Sequence, residues 1–167
     1  MGVEFDYFRS PEAKTAKQAI DRLGGPLFPE PAFDGVEAKW IDPCVKLGKL
    51  VALIRGVPYE LDMVRTIGVW PLPESAPKTE EEYDALPDDS PWKDDGPLLE
   101  ELDVQTRDTL ASVDDGQVPA LAAQWVQIEE FHNAADLEYM RSLIQELVDL
   151  ARRARNSGDQ LFCWSNQ

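Results

Sequence analysis

Between residues 136 and 156, Leu137, Met140, Leu143, Ile144, Leu147, Leu150, Ala151 and Ala154 recur at three- and four-residue steps. That spacing lines one face of a 3.6-residue helix. Asp136 supplies an N-cap, its carboxylate accepting from the free amides of the first turn. Arg152, Arg153 and Arg155 crowd the last turn, where positive charge complements the carbonyl ends, and Gly158 is placed to end the helix in a left-handed conformation. Residues 160–164 then form a short aromatic-rich run that suits a strand. The preceding stretch, 119–131, carries Val118, Leu121, Ala122, Trp125 and Ile128 on one side, with Pro119 tolerated in the first turn. A short link at 133–135 makes these two helices antiparallel neighbours.

The earlier chain has weaker patterns. Residues 3–8 place Val3, Phe5 and Tyr7 on one side of an opening strand. Ser10 and Pro11 signal a helix start, with Ala13, Ala16, Ile20 and Leu23 as its apolar stripe and Gly24, Gly25 and Pro26 at its end. Residues 27–35 read as a proline-bearing loop. Asp42 and Pro43 open a second helix with Cys44, Leu47, Leu50, Val51 and Ile54 on its buried face, and Gly56 closes it. Gly48 inside that helix marks close approach of a neighbour. Residues 59–70 have mixed periodicity, helix or strand. A strand at 98–102 and a helix at 104–113, carrying Val104, Leu110 and Val113, lead to a turn at Asp114, Asp115 and Gly116.

The segment 72–96 differs in kind. It holds Pro73, Pro77, Pro87 and Pro91 together with Glu80, Glu81, Glu82, Asp88, Asp89, Asp94 and Asp95. Little in it can pack a core, so an exposed acidic loop is expected, with Tyr83 and Trp92 able to pin it to the body or to anchor a partner. Together the elements predict one α+β domain over 1–167. A small mixed or antiparallel sheet packs with about four to five helices, and a closing helix hairpin runs into a C-terminal strand.

A hydrophobic content of 43% with five tryptophans fits a folded chain, and 167 residues suit one core. The start has no apolar leader core and no run approaches the roughly 20 apolar residues of a membrane span, so a cytoplasmic location is expected. Cys44 and Cys163 both fall at apolar positions and read as reduced, buried thiols. The net charge of −16 opposes nucleic acid or an anionic membrane as partner, permits a basic protein partner, and also serves solubility. The default assembly is a monomer.

Most catalytic templates fail on counting. His132 is the only histidine. Glu129 and His132 have the i, i+3 spacing of di-iron bundles, but those need the motif twice, and a helix-end histidine beside solvent-facing glutamates is the plainer reading. Cys44, Cys163 and His132 lack zinc-ligand spacing, no Gly-x-Ser-x-Gly elbow is present, and Gly24-Gly25 lacks the Lys and Ser/Thr of a phosphate loop. No metal or cofactor is expected. Paired carboxylates remain open, because 32 acidic residues can hide a pair and glycoside chemistry needs only two.

With these residues placed, the chain resembles the YfbM-like family of small bacterial proteins of unknown function. The likeness rests on Met1-Gly2 with Tyr7-Phe8 before a capped helix, and on Ile41-Asp42 leading through Leu50 to Gly56. It rests also on the helix and Asp-rich turn of 103–117, and on the last helix followed by Gly158 and an apolar strand. The resemblance implies a single α+β domain and carries no catalytic residue. The expected function is that of a non-enzymatic acidic binding protein, such as an immunity protein against a basic toxin. Its partner would meet Glu80, Glu81, Glu82, Tyr83, Asp88, Asp89, Trp92, Asp94 and Asp95. The alternatives are a small carboxylate-dependent enzyme with His132 as accessory, which requires a cleft with perturbed carboxylates, and a DNA-mimic inhibitor.

Overall fold

A computed structural model describes residues 2–93 and 95–166; Met1 of the opening pair and Asp94 of the acidic set lie outside the described residues. Five strands, β1 (Glu4–Ser10), β2 (Gly35–Lys39), β3 (Thr66–Trp70), β4 (Leu98–Leu102) and β5 (Gln160–Asn166), form one antiparallel sheet in the order β2-β1-β5-β4-β3. The last strand is central. Its continuous run Leu161–Trp164 is buried because both sheet faces are covered, which is why it lacks the alternation of a half-exposed strand.

The α-helices are α1 (Ala13–Ala16), α2 (Gly48–Arg55), α3 (Glu80–Asp84), α4 (Val104–Ala111), α5 (Val118–Trp125) and α6 (Leu137–Ser157). Against one sheet face, Tyr7, Val36, Ala38, Leu102, Leu161 and Cys163 meet Leu47, Leu50 and Val51 around α2, Leu110, Trp125, and the Met140 to Ala154 stripe of α6. Across this core the Tyr7 hydroxyl donates to the Ile41 carbonyl at 2.7 Å and the Trp125 indole donates to the Lys46 carbonyl at 2.9 Å. The other face carries a smaller core of Phe8, Leu99, Phe162 and Trp164 under Ala16 and Ala19. An ionic knot joins the ends of these layers. Asp34 accepts from Arg9 Nε at 2.6 Å and from Arg153 Nε at 2.7 Å, while Arg9 Nη1 donates to Asp159 at 2.7 Å.

The last helix and strand form where their pattern predicts, with the stripe buried from Met140 onward. Asp136 accepts from the Tyr139 amide at 2.8 Å, Gly158 takes φ 71°, and α6 packs against α5 before entering β5. Gly48 is also as expected, since a Cβ there would meet the Tyr59 ring at 3.0 Å.

Several expectations are corrected. In the stretch 59–70, left open as helix or strand, residues 66–70 form the edge strand β3, and β2, which the pattern does not predict, begins at the last residue of the 27–35 loop. Cys44 is exposed, because Pro43–Leu47 is a π-helical turn, closed by the Leu47 amide on the Asp42 carbonyl, and its wider winding turns Cys44 off the buried face. Cys163 is buried as predicted. Ser10 ends β1 rather than capping a helix, and Glu12 stands at the N-cap of α1. After Ala16 the chain winds as a 3-10 helix over Lys17–Asp21, so the stripe drifts and Leu23 is left 94% exposed. Val104 and Leu137 are exposed too, the latter because it opens the first turn of α6 ahead of the buried stripe, and helix α5 stops at Trp125, short of residue 131. Among the described residues no helix is long and apolar enough to cross a membrane.

Candidate functional site

The acidic segment is the long connection between the paired strands β3 and β4, and it is folded where the prolines and charges predicted a plain loop. Thr79 caps α3, accepting from the Glu82 amide at 3.1 Å, so Glu80, Glu81 and Glu82 occupy a first helical turn, where the exposed amides favour negative charge. Trp92 is half-buried and ties two parts of the connection together: its indole donates to Ser75 Oγ at 2.9 Å, and Ser75 donates to the Leu72 carbonyl at 2.7 Å. Lys93 reaches the Leu86 carbonyl at 2.7 Å and stands 5.7 Å from the Tyr83 ring centre. Glu80, Glu81, Glu82, Tyr83, Asp88, Asp89 and Asp95 are exposed. None of these acids is in an ion pair among the described residues. The described residues of the predicted surface therefore lie on one folded connection, with Trp92 hydrogen-bonded within it.

A second site escaped the sequence reading. Pairing across the sheet sets Glu37 opposite Asp6 and Asp6 opposite Trp164, so the three side chains share the face away from α6. Glu4 and Asn166 form the next pair on that face. With Gly24, Leu27 and Phe28 they line a groove of about 370 Å³. Its lip is rigid. Gly24 and Gly25 have φ of 92° and 78°, and a Cβ on Gly25 would lie 2.7 Å from the Trp164 ring, so only glycine lets the loop lie on that indole. Arg22 then donates to the Gly25 carbonyl at 3.0 Å and also to the Glu30 carbonyl. Phe28 stays 68% exposed at the mouth.

Asp6 is 6% exposed, and no described residue gives its carboxylate a hydrogen bond or an ion pair. Burial pushes its pKa up to about 7, with the charges of Glu37 and then Glu4 adding to the rise. The Trp164 indole nitrogen is closed off from solvent and has no partner. Asp34 shows the contrast, since the Arg153 guanidinium, with Arg9, holds its carboxyl below the ordinary value. Glu37 sits in the unpredicted strand β2, and Asp6 reads as one acid among 32, so only the strand register reveals the cluster.

His132 joins neither site. It is exposed at φ 48° after the turn Glu129–Phe131, on the helical side of the sheet, while its neighbour Glu130 pairs with Lys49. Among the described residues no group of three His, Cys, Asp or Glu side chains is arranged to hold a metal ion. No family model, curated protein or solved structure matches the chain.

Proposed function

We propose that the protein is a non-enzymatic acidic binding protein whose 72–96 connection engages a basic protein, in the manner of an immunity protein that neutralises a cationic toxin. One observation carries the reading: Glu80, Glu81, Glu82, Asp88, Asp89 and Asp95 are exposed and in no ion pair among the described residues, on a connection that Thr79, Trp92 and Lys93 already hold in shape. A surface held in its binding geometry loses less conformational entropy on association than a loose tail. The concentrated negative field speeds and orients the approach of a basic partner. Exposed Tyr83 and Leu72 offer apolar anchors beside the charges.

The test compares immobilised wild type with a variant carrying Glu80→Gln, Glu81→Gln, Glu82→Gln, Asp88→Asn and Asp89→Asn. A basic protein captured by the wild type at low salt should be released as salt rises. With that protein purified, the variant should bind about tenfold more weakly or worse. Equal affinity for both forms refutes the reading.

A second reading, a small enzyme using carboxylates, is favoured by Asp6, a buried carboxyl poised near neutrality beside Glu37 in a groove. On this reading Asp6 serves as a general acid, and His132 has no part. A substrate screen in which turnover survives Asp6→Asn unchanged sinks it.

A further inference from the structure

We infer that the groove formed by β1, β2, β5 and the 24–28 lip is a binding site for an organic cation, an ammonium or guanidinium group carried on an aliphatic stem. The inference is separate from the acidic connection, which leaves the sheet at the β3–β4 side, whereas the groove lies on β2, β1 and β5.

Two observations converge on it. The first is an uncompensated charge. Of the two buried aspartates among the described residues, Asp159 is held by Arg9 at 2.7 Å, while Asp6 meets no cation and faces two further carboxylates. Buried charges are ordinarily paired, and like charges directly opposite across two strands are destabilising, so the Asp6–Glu37 pair is maintained at a loss that a cation would reverse. The second is the apolar rim. Leu27 and the exposed Phe28 ring flank the acids, giving an aliphatic stem a surface to cover and a cation a ring face to approach.

These features also select the class of ligand. The acids do not converge as a metal cage, and the rim would be wasted on a hydrated ion. A volume of about 370 Å³ suits a group the size of a lysine or arginine side chain. Such a group reaches the groove either on a free small amine or as a side chain of another protein.

Calorimetric titration at about pH 8 tests the site with butylamine and butylguanidine as free cations, and with the N-acetyl methylamides of lysine and arginine as side-chain mimics. Pentanol serves as the neutral control and Ca²⁺ alone as the metal control. The expected result is one-site binding of the cations, no binding of pentanol, and a shift of the Trp164 indole N–H resonance on titration. A double variant, Asp6→Asn with Glu37→Gln, should bind about tenfold more weakly or worse. The five-fold neutralised 80–89 variant should bind as the wild type does, which separates this site from the acidic connection. Tighter binding of the amide-bearing probes assigns the ligand to a protein side chain, and equal binding assigns it to a free amine. Binding should also weaken towards pH 5.5 as Asp6 takes up a proton; the other titratable groups lining the groove are Glu4 and Glu37, and the lip adds none. The inference is overturned by the absence of saturable binding for all four cations, by equal affinity in the double variant, or by one-site binding of Ca²⁺ alone. Removing charge from a repulsive pair leaves the fold intact, and a melting curve of the double variant verifies this.

Discussion

Replacing Asp6 by Asn keeps the volume and shape of the side chain and removes its charge. In the folded protein the Asp6 pKa rises from 3.8 to about 7, first through burial and then through Glu37 and Glu4. The sign follows from proton binding. Between about pH 4 and pH 7 the folded chain holds this proton and the unfolded chain has lost it, so stability falls as pH rises through that window and stays low above it. This is the reverse of an ion-paired carboxylate. Each pH unit in the window is worth about 1.4 kcal/mol. From pH 5.5 to the folded value of about 7 the loss is therefore about 2 kcal/mol. For a chain of this size that is about 4–8 °C in Tm. Melting curves at constant ionic strength from pH 5.5 to 8.5 measure it. The wild type should lose Tm across the range relative to Asp6→Asn, and the variant should be the more stable at pH 8.5. The comparison cancels every group common to the two forms. Parallel curves for the two proteins, or a wild type that gains stability relative to the variant as pH rises, would refute the buried, uncompensated carboxylate.

Three further outcomes follow from the packing. Gly25→Ala drives a Cβ to within 2.7 Å of the Trp164 ring at a φ of 78°, and should destabilise the chain by about 1–3 kcal/mol with a change in near-ultraviolet circular dichroism. Asp136→Ala removes the acceptor for the Tyr139 amide and should lower unfolding free energy in urea by about 1 kcal/mol. Iodoacetamide should modify Cys44 and spare Cys163 in the native protein; burial raises both thiol pKa values, so Cys44 should react slowly at neutral pH and faster as pH rises. Labelling of Cys163 at the same rate would contradict its place in the core.

The sequence by itself determined the closing unit, from the N-cap at Asp136 through the α6 stripe and Gly158 to β5, because caps and a 3.6-residue period act over neighbouring turns. It also placed β4, the Gly48 contact and the acidic character of the 72–96 connection. Tertiary structure decided the rest. Strand β2 shows only Val36 and Ala38 as buried alternates around Glu37, too short a pattern to separate from a loop, and it becomes a strand by pairing with β1. A π-turn and a 3-10 turn shift the phase of Cys44 and Leu23, which a fixed period misassigns. The groove depends on the same non-local register. Asp6 meets Glu37 and Trp164 only because β1 lies between the second strand and the last, and no local rule in the chain specifies that order.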